Sequence, residues 1–298
     1  MNTEALRIFC EVARQQSFSG AGKKLHITQS AASQAVQNLE RDLGRQLIDR
    51  SRRPPHLTPA GERFYDGCRE VLDSLDRAVN GLKELDHEVA GAVSVASIYS
   101  VGLYHTDVIR RFMETYPKAT IRLQYLRPNL VVSAVAQDDA TFGLVSYPKE
   151  TRELAVIPWK EERMVLLCPA SHRLAKKKKV KLKELDAEPM IAFDRDLTIR
   201  KHLDTILDRE KVDLRIAMEF DNIETIKQAV EVGAGIAILP EQTVRDSLGK
   251  GGLVAVALDS RDMVRPLGII HRKGKPLTLA AHKFRDLLTG KVGENGTG

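Results

Sequence analysis

The chain has no apolar run approaching the roughly 20 residues that a membrane-spanning helix needs. Its start, MNTEALRIFCEVARQQ, spreads acids and bases through the place where an export signal needs an apolar core. The expected location is therefore the cytoplasm, with no membrane partner. Cysteine is scarce: Cys10, Cys68 and Cys168 lie far apart, with no Cys-x-x-Cys pair. That argues against a disulfide framework and leaves no thiolate set for zinc. Cys10 and Cys68 fall at apolar positions of helical patterns and read as buried free thiols. The eight histidines are scattered, none at ligand spacing with another His or Cys. Neither a metal nor any other cofactor is expected. Gly-x-Ser-x-Gly, His-Glu-x-x-His and the P-loop are all missing, so no reactive constellation supports an enzyme. Gly233-x-Gly235 precedes a strand rather than a helix, which removes the nucleotide-fingerprint reading.

What the chain does have is a globular composition, 43% hydrophobic and 29% charged over 298 residues, enough for two or three domains. Its net charge of +6 is unevenly spread. Residues 1–60 hold nine Lys or Arg against five acids, and residues 61–90 hold four bases against eight acids. A basic module followed by an acidic stretch points to a polyanion as the module's partner. A second basic cluster, Lys176 to Lys183, sits in a Pro- and Lys-rich connection and reads as a solvated loop.

The basic module is organised around Ser17 to Leu43, two short helices with a tight turn between them. Leu6, Phe9, Cys10 and Ala13 mark a preceding helix that Asn2 or Thr3 can cap. Ser19 is the expected cap of the second helix and Thr28 of the third. On the third, Ala32, Val36, Leu39 and Leu43 share one face, and Ser30, Ser33, Gln34 and Gln37 share the opposite one. A solvated face ordinarily carries Glu and Lys. An uncharged row of Ser and Gln suits DNA base edges, toward which these groups donate and accept. The connection His26-Ile27-Thr28 is as short as a helix-turn-helix requires. Residues 46–50, a turn over 51–55, and residues 56–58 read as a two-stranded wing. Arg50, Arg52 and Arg53 at its tip are placed at phosphates or the minor groove. Thr58-Pro59, a hydroxyl cap before an N-terminal proline, starts a long helix reaching about His87. Within it Cys68, Val71, Leu75, Ala78, Leu82, Leu85 and Val89 step by three and four, a narrow seam suited to pairing with a second copy.

In order along residues 1–62 stand L-R-I-F, then S-F-S-x-A-x-x-L-H-I-T-Q-S-A-A-S-Q-A-V-Q-N-L-E-x-x-L-G-x-Q-L-I-x-R, then L-T-P-A-G-E. This run resembles the winged helix-turn-helix of the LysR-type transcriptional regulators. The resemblance implies base and backbone contacts from Gln29, Ser30, Ser33, Gln34 and Gln37, with Ser19 and Thr28 beside them and the wing at Arg50 to Arg53. Many members have Arg where Gln34 stands and Phe where Ile48 stands. The first departure implies another base preference, adenine over guanine. The resemblance further implies double-stranded DNA as partner at a partly palindromic, bent site near a promoter. It also implies antiparallel pairing of the long helix in a dimer, a tetramer through the C-terminal domains, and a contact with RNA polymerase.

Beyond Ala90-Gly91-Ala92, which reads as a hinge, strands and helices alternate, implying parallel α/β sheets. Strands are expected at 92–96, 119–126 and 142–146, with helices at 101–116 and 129–137. A second block has strands at 162–168, 190–193, 215–220 and 236–239, with helices at 199–210 and 223–232. Strand 267–270 and helix 277–288 return to the first block. The stretch V-G-A-G-I-A-I-L-P, Val232 to Pro240, extends the resemblance to the family's effector domain. The expected fold is therefore α/β with an N-terminal all-α winged helix-turn-helix, a long linker helix and a two-lobed, periplasmic-binding-protein-like effector domain. Its divisions are 1–58, 59–89 and 90–298, with lobe I at 90–161 and 265–298 and lobe II at 162–264.

Ligands of such folds sit at strand C-termini and helix N-termini between lobes. Ser97, Ser100, Val101 and Gly102 occupy such a place, with Ser146 and Thr198 facing the same cleft by analogy. The expected effector is a small anionic metabolite, and the expected function is ligand-responsive transcription regulation without catalysis. Two other readings compete. A solute-binding protein would need an export signal and would carry no winged helix. A nucleoid-architectural DNA-binding protein without a ligand would leave the large C-terminal domain without a role.

Overall fold

In a computed structural model of the chain, residues 2–85, 89–102, 106–248 and 252–291 are described. They divide into two compact units, Met1–Glu88 and Val89–Gly298.

The first unit opens with α1 (Thr3–Gln15), whose start is capped by Asn2: its side-chain oxygen accepts from the Ala5 amide at 2.8 Å. Next come α2 (Phe18–Leu25) and α3 (Gln29–Leu43), which bury Phe9, Val12, Ala21, Ala32, Val36 and Leu39 in one core. Thr28 caps α3 as expected, accepting from the Ala31 amide at 3.1 Å. The cap of α2 is Ser17 rather than Ser19. Ser17 is extended, and its Oγ accepts from the Gly20 amide at 3.0 Å, while Ser19 lies inside the helix. Leu43, expected in the core, is exposed where Gly44 (φ 62°) ends the helix.

The wing is short, β1 (Ile48–Asp49) against β2 (His56–Leu57), antiparallel. The helix α4 (Pro59–Leu85) follows. Its start is locked to the wing: Thr58 Oγ1 accepts from the Gly61 amide at 3.0 Å and donates to the Gln46 carbonyl at 2.7 Å. Gly61 is required there, since a Cβ would sit 2.0 Å from the Leu47 carbonyl oxygen. Cys68 and Leu72 are buried in the module core. Cys68 therefore leaves the expected seam, of which Val71, Leu75, Ala78 and Leu82 are exposed, with Val79, outside the expected spacing, exposed beside them. His87 and the Leu85 side chain lie outside the described residues, and Val89 follows the helix.

In the second unit β3 (Gly91–Ser97) leads to α5 (Tyr99–Gly102), α6 (Thr106–Thr115), β4 (Ala119–Tyr125), α7 (Pro128–Ala136) and β5 (Phe142–Ser146). Of the helix expected over 101–116, residues 101–102 belong to α5 and 106–115 to α6, and 103–105 lie outside the described residues. The long strand β6 (Leu154–Pro169) carries the chain from lobe I into lobe II. Lobe II continues with β7 (Lys179–Val180), β8 (Pro189–Phe193), α8 (Thr198–Arg209), β9 (Arg215–Phe220), α9 (Ile223–Glu231), β10 (Ala237–Pro240), α10 (Glu241–Val244) and β11 (Leu253–Leu258). Then β12 (Val264–Arg272) returns the chain to lobe I, which ends with α11 (Leu279–Thr289).

The strand order is β4-β3-β5-β12-β6-β11-β7, with β10 also on β6 and β8 paired to β9. Strands β3, β4 and β5 are parallel, as are β8 and β9. The sheets are nevertheless mixed, not parallel as the alternation implies. Two crossovers running in opposite senses between lobes must pair antiparallel, and β12 does so along β6, with Glu162 opposite Arg265. Each lobe keeps its own core, around Phe112, Phe142 and Phe284 in lobe I and around Leu166, Leu203 and Ile226 in lobe II.

Candidate functional site

Two sites follow from these frames. In the N-terminal unit, α2 and α3 are joined through His26, which is left-handed (φ 57°). The Ile27 amide bonds the Gly22 carbonyl at 2.9 Å, and a Cβ on Gly22 would come within 2.8 Å of the Ile27 oxygen. The absence of that Cβ lets the turn close tightly and fixes the entry of α3. Gln29, Ser30, Gln34 and Gln37 are exposed along α3, with Thr28 and Ser30 hydroxyls 2.9 Å apart at its start. Ser33 is half-buried. Gln34 Nε2 donates to Asn38 Oδ1 at 3.0 Å, and Arg41 donates to the same oxygen at 2.5 Å, so Asn38 organises the stripe's far end. Ser19 is exposed near the start of α2.

The arginines of the wing differ in role. Arg52 and Arg53 are exposed; Arg52 pairs loosely with Asp49 at 3.4 Å. The Ser51 hydroxyl and amide hold the Asp49 carboxyl below its ordinary range, so it stays charged beside them. Arg50 is drawn inward instead. It donates to Glu40 Oε2 at 3.0 Å and to Ser33 Oγ at 3.3 Å, and its guanidinium lies 5.0 Å from the Phe18 ring centroid. Glu40 Oε1 accepts from the Leu47 and Ile48 amides at 2.9 and 3.0 Å. One carboxylate thus ties the wing to the helix expected to read bases, and Arg50 is a brace in this state rather than an open phosphate contact.

The second site is a cavity of about 270 Å³ between the lobes. It lies at the C-terminal ends of β3, β4, β5, β8 and β9 and at the starts of α7, α8 and α9. No side chain caps α7 or α8, whose first turns carry no acid. Such starts present amide donors and positive dipole ends. Ser100, Ser146 and Thr198 line the cavity. The other expected contacts do not. Ser97 is fully buried, its hydroxyl donating to the Ile98 carbonyl at 3.0 Å, and Val101 and Gly102 are the buried residues of α5. Gly102 serves packing, since a Cβ there would meet Tyr125 at 2.6 Å.

At the back of the cavity stands Arg265, 1% exposed. Its Nε donates to Glu162 Oε2 at 2.9 Å, its Nη2 bonds the same oxygen, and its Nη1 donates to Ser100 Oγ at 2.9 Å. One guanidinium thereby joins both crossovers to α5 and keeps one N–H on Nη1 beyond these bonds. Tyr99 and Tyr125 pack with ring centroids 5.0 Å apart and planes tilted by 51° along one wall, and burial raises the Tyr125 phenol, which stays a neutral donor. Behind, Tyr147 of lobe I packs 4.8 Å from the His202 ring of lobe II, and burial pushes its phenol up to about 12.

Residues 3–62 match the family model of the bacterial regulatory helix-turn-helix proteins of the lysR family, and residues 86–293 match that of the LysR substrate binding domain. The chain belongs to the LysR family. It is a DNA-binding transcription regulator with an effector-binding domain. Among its relatives, the HTH-type transcriptional regulator YeiE of Escherichia coli is 32% identical, the match covering 94% of each chain. A protein described as a probable RuBisCO transcriptional regulator of Cyanidioschyzon merolae is 30% identical over 94% of this chain and 95% of its own length. A full-length OxyR variant from Pseudomonas aeruginosa has the same fold, with a TM-score of 0.75 at 21% identity over 97% of this chain and 94% of that one.

Within this LysR-type regulator, sequence reasoning missed Glu40, Asn38, Arg265 and Arg127, the residue before α7, which also lines the cavity. Glu40 stood inside the quoted motif without a role, and no local spacing links it to the amides seven and eight residues away. Arg265 is 103 residues from Glu162 and 165 from Ser100, beyond any pattern along the chain.

Proposed function

We propose that this regulator binds a two-fold DNA site as a dimer and responds to a small anionic metabolite held between its lobes. The observation carrying the effector's charge is one cavity lined by the uncapped starts of α7 and α8 together with two guanidiniums, Arg127 and Arg265. A carboxylate, sulfate or phosphate fits that donor set, with Ser100, Ser146 and Thr198 hydroxyls beside it. The dimer is supported by the exposed apolar row on α4, which pairs antiparallel with its copy; tetramers form through the effector domains. The dimer doubles the contacts of a recognition helix that carries little charge of its own. No cofactor and no catalytic step belong to this reading. It places the protein in the cytoplasm, in contact with RNA polymerase at the promoter; among the described residues no helix is long and apolar enough to cross a membrane. A ligand-free architectural role would leave the cavity unused.

Calorimetric titration of the full chain with pools of anionic metabolites tests the effector. Binding is expected for the wild type and lost in Ser100→Trp, which fills the cavity. A ligand bound equally well by that variant, or an effector without negative charge, contradicts the assignment.

A further inference from the structure

At the mouth of the cleft one lobe I cation faces three lobe II anions. Arg127, the residue before α7, places Nη2 3.2 Å from Asp196 and 3.6 Å from Asp194, and Nε 3.9 Å from Asp221. Asp194 and Asp196 follow β8, and Asp221 follows β9. Arg195, between the first two, turns away to Glu219 at 3.1 Å and does not offset them. Glu224, also on the cavity wall, is held by Lys227 at 2.8 Å. Three carboxylates thus share one guanidinium whose side chain is 46% exposed, and even Asp196, the nearest, accepts from a single nitrogen at 3.2 and 3.4 Å. Pairs this loose and wet are weak and salt-sensitive. The cavity's other guanidinium, Arg265, is bonded to Glu162 and Ser100 and has no comparable freedom.

We propose that Arg127 is a shared cation: it latches the lobes together while the cleft is empty and passes to the effector's anionic group when the cleft fills. The inference rests on the anion reading of the cleft for its second half only. An effector changes a conformational equilibrium only through a contact that differs between the two states. Arg127 supplies that contact, because an anion that takes the guanidinium breaks its ion pairs across the mouth and leaves Asp194, Asp196 and Asp221, all on lobe II, without that cation.

The test is an intrachain distance in the full-length protein. Nitroxides are attached at Glu114→Cys on α6 and Lys201→Cys on α8, in a Cys10→Ser background, with labelled chain diluted into unlabelled chain. Distances are read by pulsed electron spin resonance at low and high sodium chloride, and with inorganic phosphate at matched ionic strength. For the wild type, high salt should raise the open population about fivefold, the scale of exposed ion pairs. Arg127→Gln should be open at low salt and insensitive to more. Asp196→Asn with Asp221→Asn should reach the same state from the other side. Phosphate should open the wild type but not Arg127→Gln. Identical distances for wild type and both variants at both salt levels overturn the latch. A salt response lost in Arg127→Gln, without a phosphate response, upholds the latch and contradicts the anion reading of the cleft.

Discussion

Removing the Glu40 carboxylate should unfasten the wing from the recognition helix. Three donors end on it: the Leu47 amide at 2.9 Å, the Ile48 amide at 3.0 Å and Arg50 at 3.0 Å. Glu40→Ala strands two half-buried amides, at roughly 1–3 kcal/mol each, and loses an ion pair worth up to about 1 kcal/mol. Water reaching the wing offsets part of this, which leaves a loss of about 3 kcal/mol. In a module of this size that is a fall of more than about 10 °C in Tm. Glu40→Gln keeps an acceptor for the amides and should lose only about 1–2 kcal/mol. The assay is thermal unfolding of the full chain at fixed concentration, followed by far-ultraviolet circular dichroism and by tryptophan fluorescence. The single tryptophan, Trp159, lies in the effector unit, so its transition is an internal control that should not move. Exchange of the Leu47 and Ile48 amides should accelerate in parallel. A loss below about 0.5 kcal/mol, or a shifted Trp159 transition, refutes the anchoring role.

Gly61→Ala should destabilise the same module by about 3 kcal/mol in urea denaturation, because α4 must move off the Leu47 carbonyl, only 2.0 Å from the new Cβ. Arg265→Met should destabilise the effector unit by about 3–5 kcal/mol, seen by Trp159 fluorescence, because Glu162 is left buried and unpaired. Adding Glu162→Leu should recover most of that loss. Hydrogen bonds from Arg200 and Arg195 hold the Glu219 carboxyl below its ordinary value. Its contribution is therefore complete above the unfolded-state pKa of about 4.3 and is lost as pH falls through the lower folded value. Glu219→Gln should flatten the acid limb of the stability profile.

The N-terminal module was legible because its information is local. Thr28 caps α3, Thr58-Pro59 starts α4, and the Ser and Gln row lies on an exposed face, each set by residues within one or two turns. The Ser19 cap failed over a two-residue choice between serines, settled by which backbone is extended. The bracing of Arg50 was out of reach for a different reason: its partners Glu40 and Phe18 are brought near only by tertiary packing. In the effector unit the alternation of strands and helices was readable, whereas strand direction was not. The antiparallel run of β6 on β12 joins segments about a hundred residues apart. The cavity lies at the strand ends that the pattern names, yet Ser97 turned inward because its hydroxyl bonds the Ile98 carbonyl, and the two arginines that line the cavity alongside Asp221 and Glu224 had no local signature.

The proposed reading of DNA divides the labour: α3 chooses bases, the exposed wing arginines hold the backbone, and a second copy completes the site. Selection of bound duplexes from a random pool, with salt titrations on the winners, measures all three for wild type, Gln34→Ala and Arg52→Ala. Wild type should enrich two half-sites related by two-fold symmetry, about one helical turn apart. Gln34→Ala should enrich different bases with an unchanged salt slope, and Arg52→Ala should keep the bases and lower the slope by about one per chain. Uniform, sequence-independent recovery, or two variants that behave alike, would contradict it.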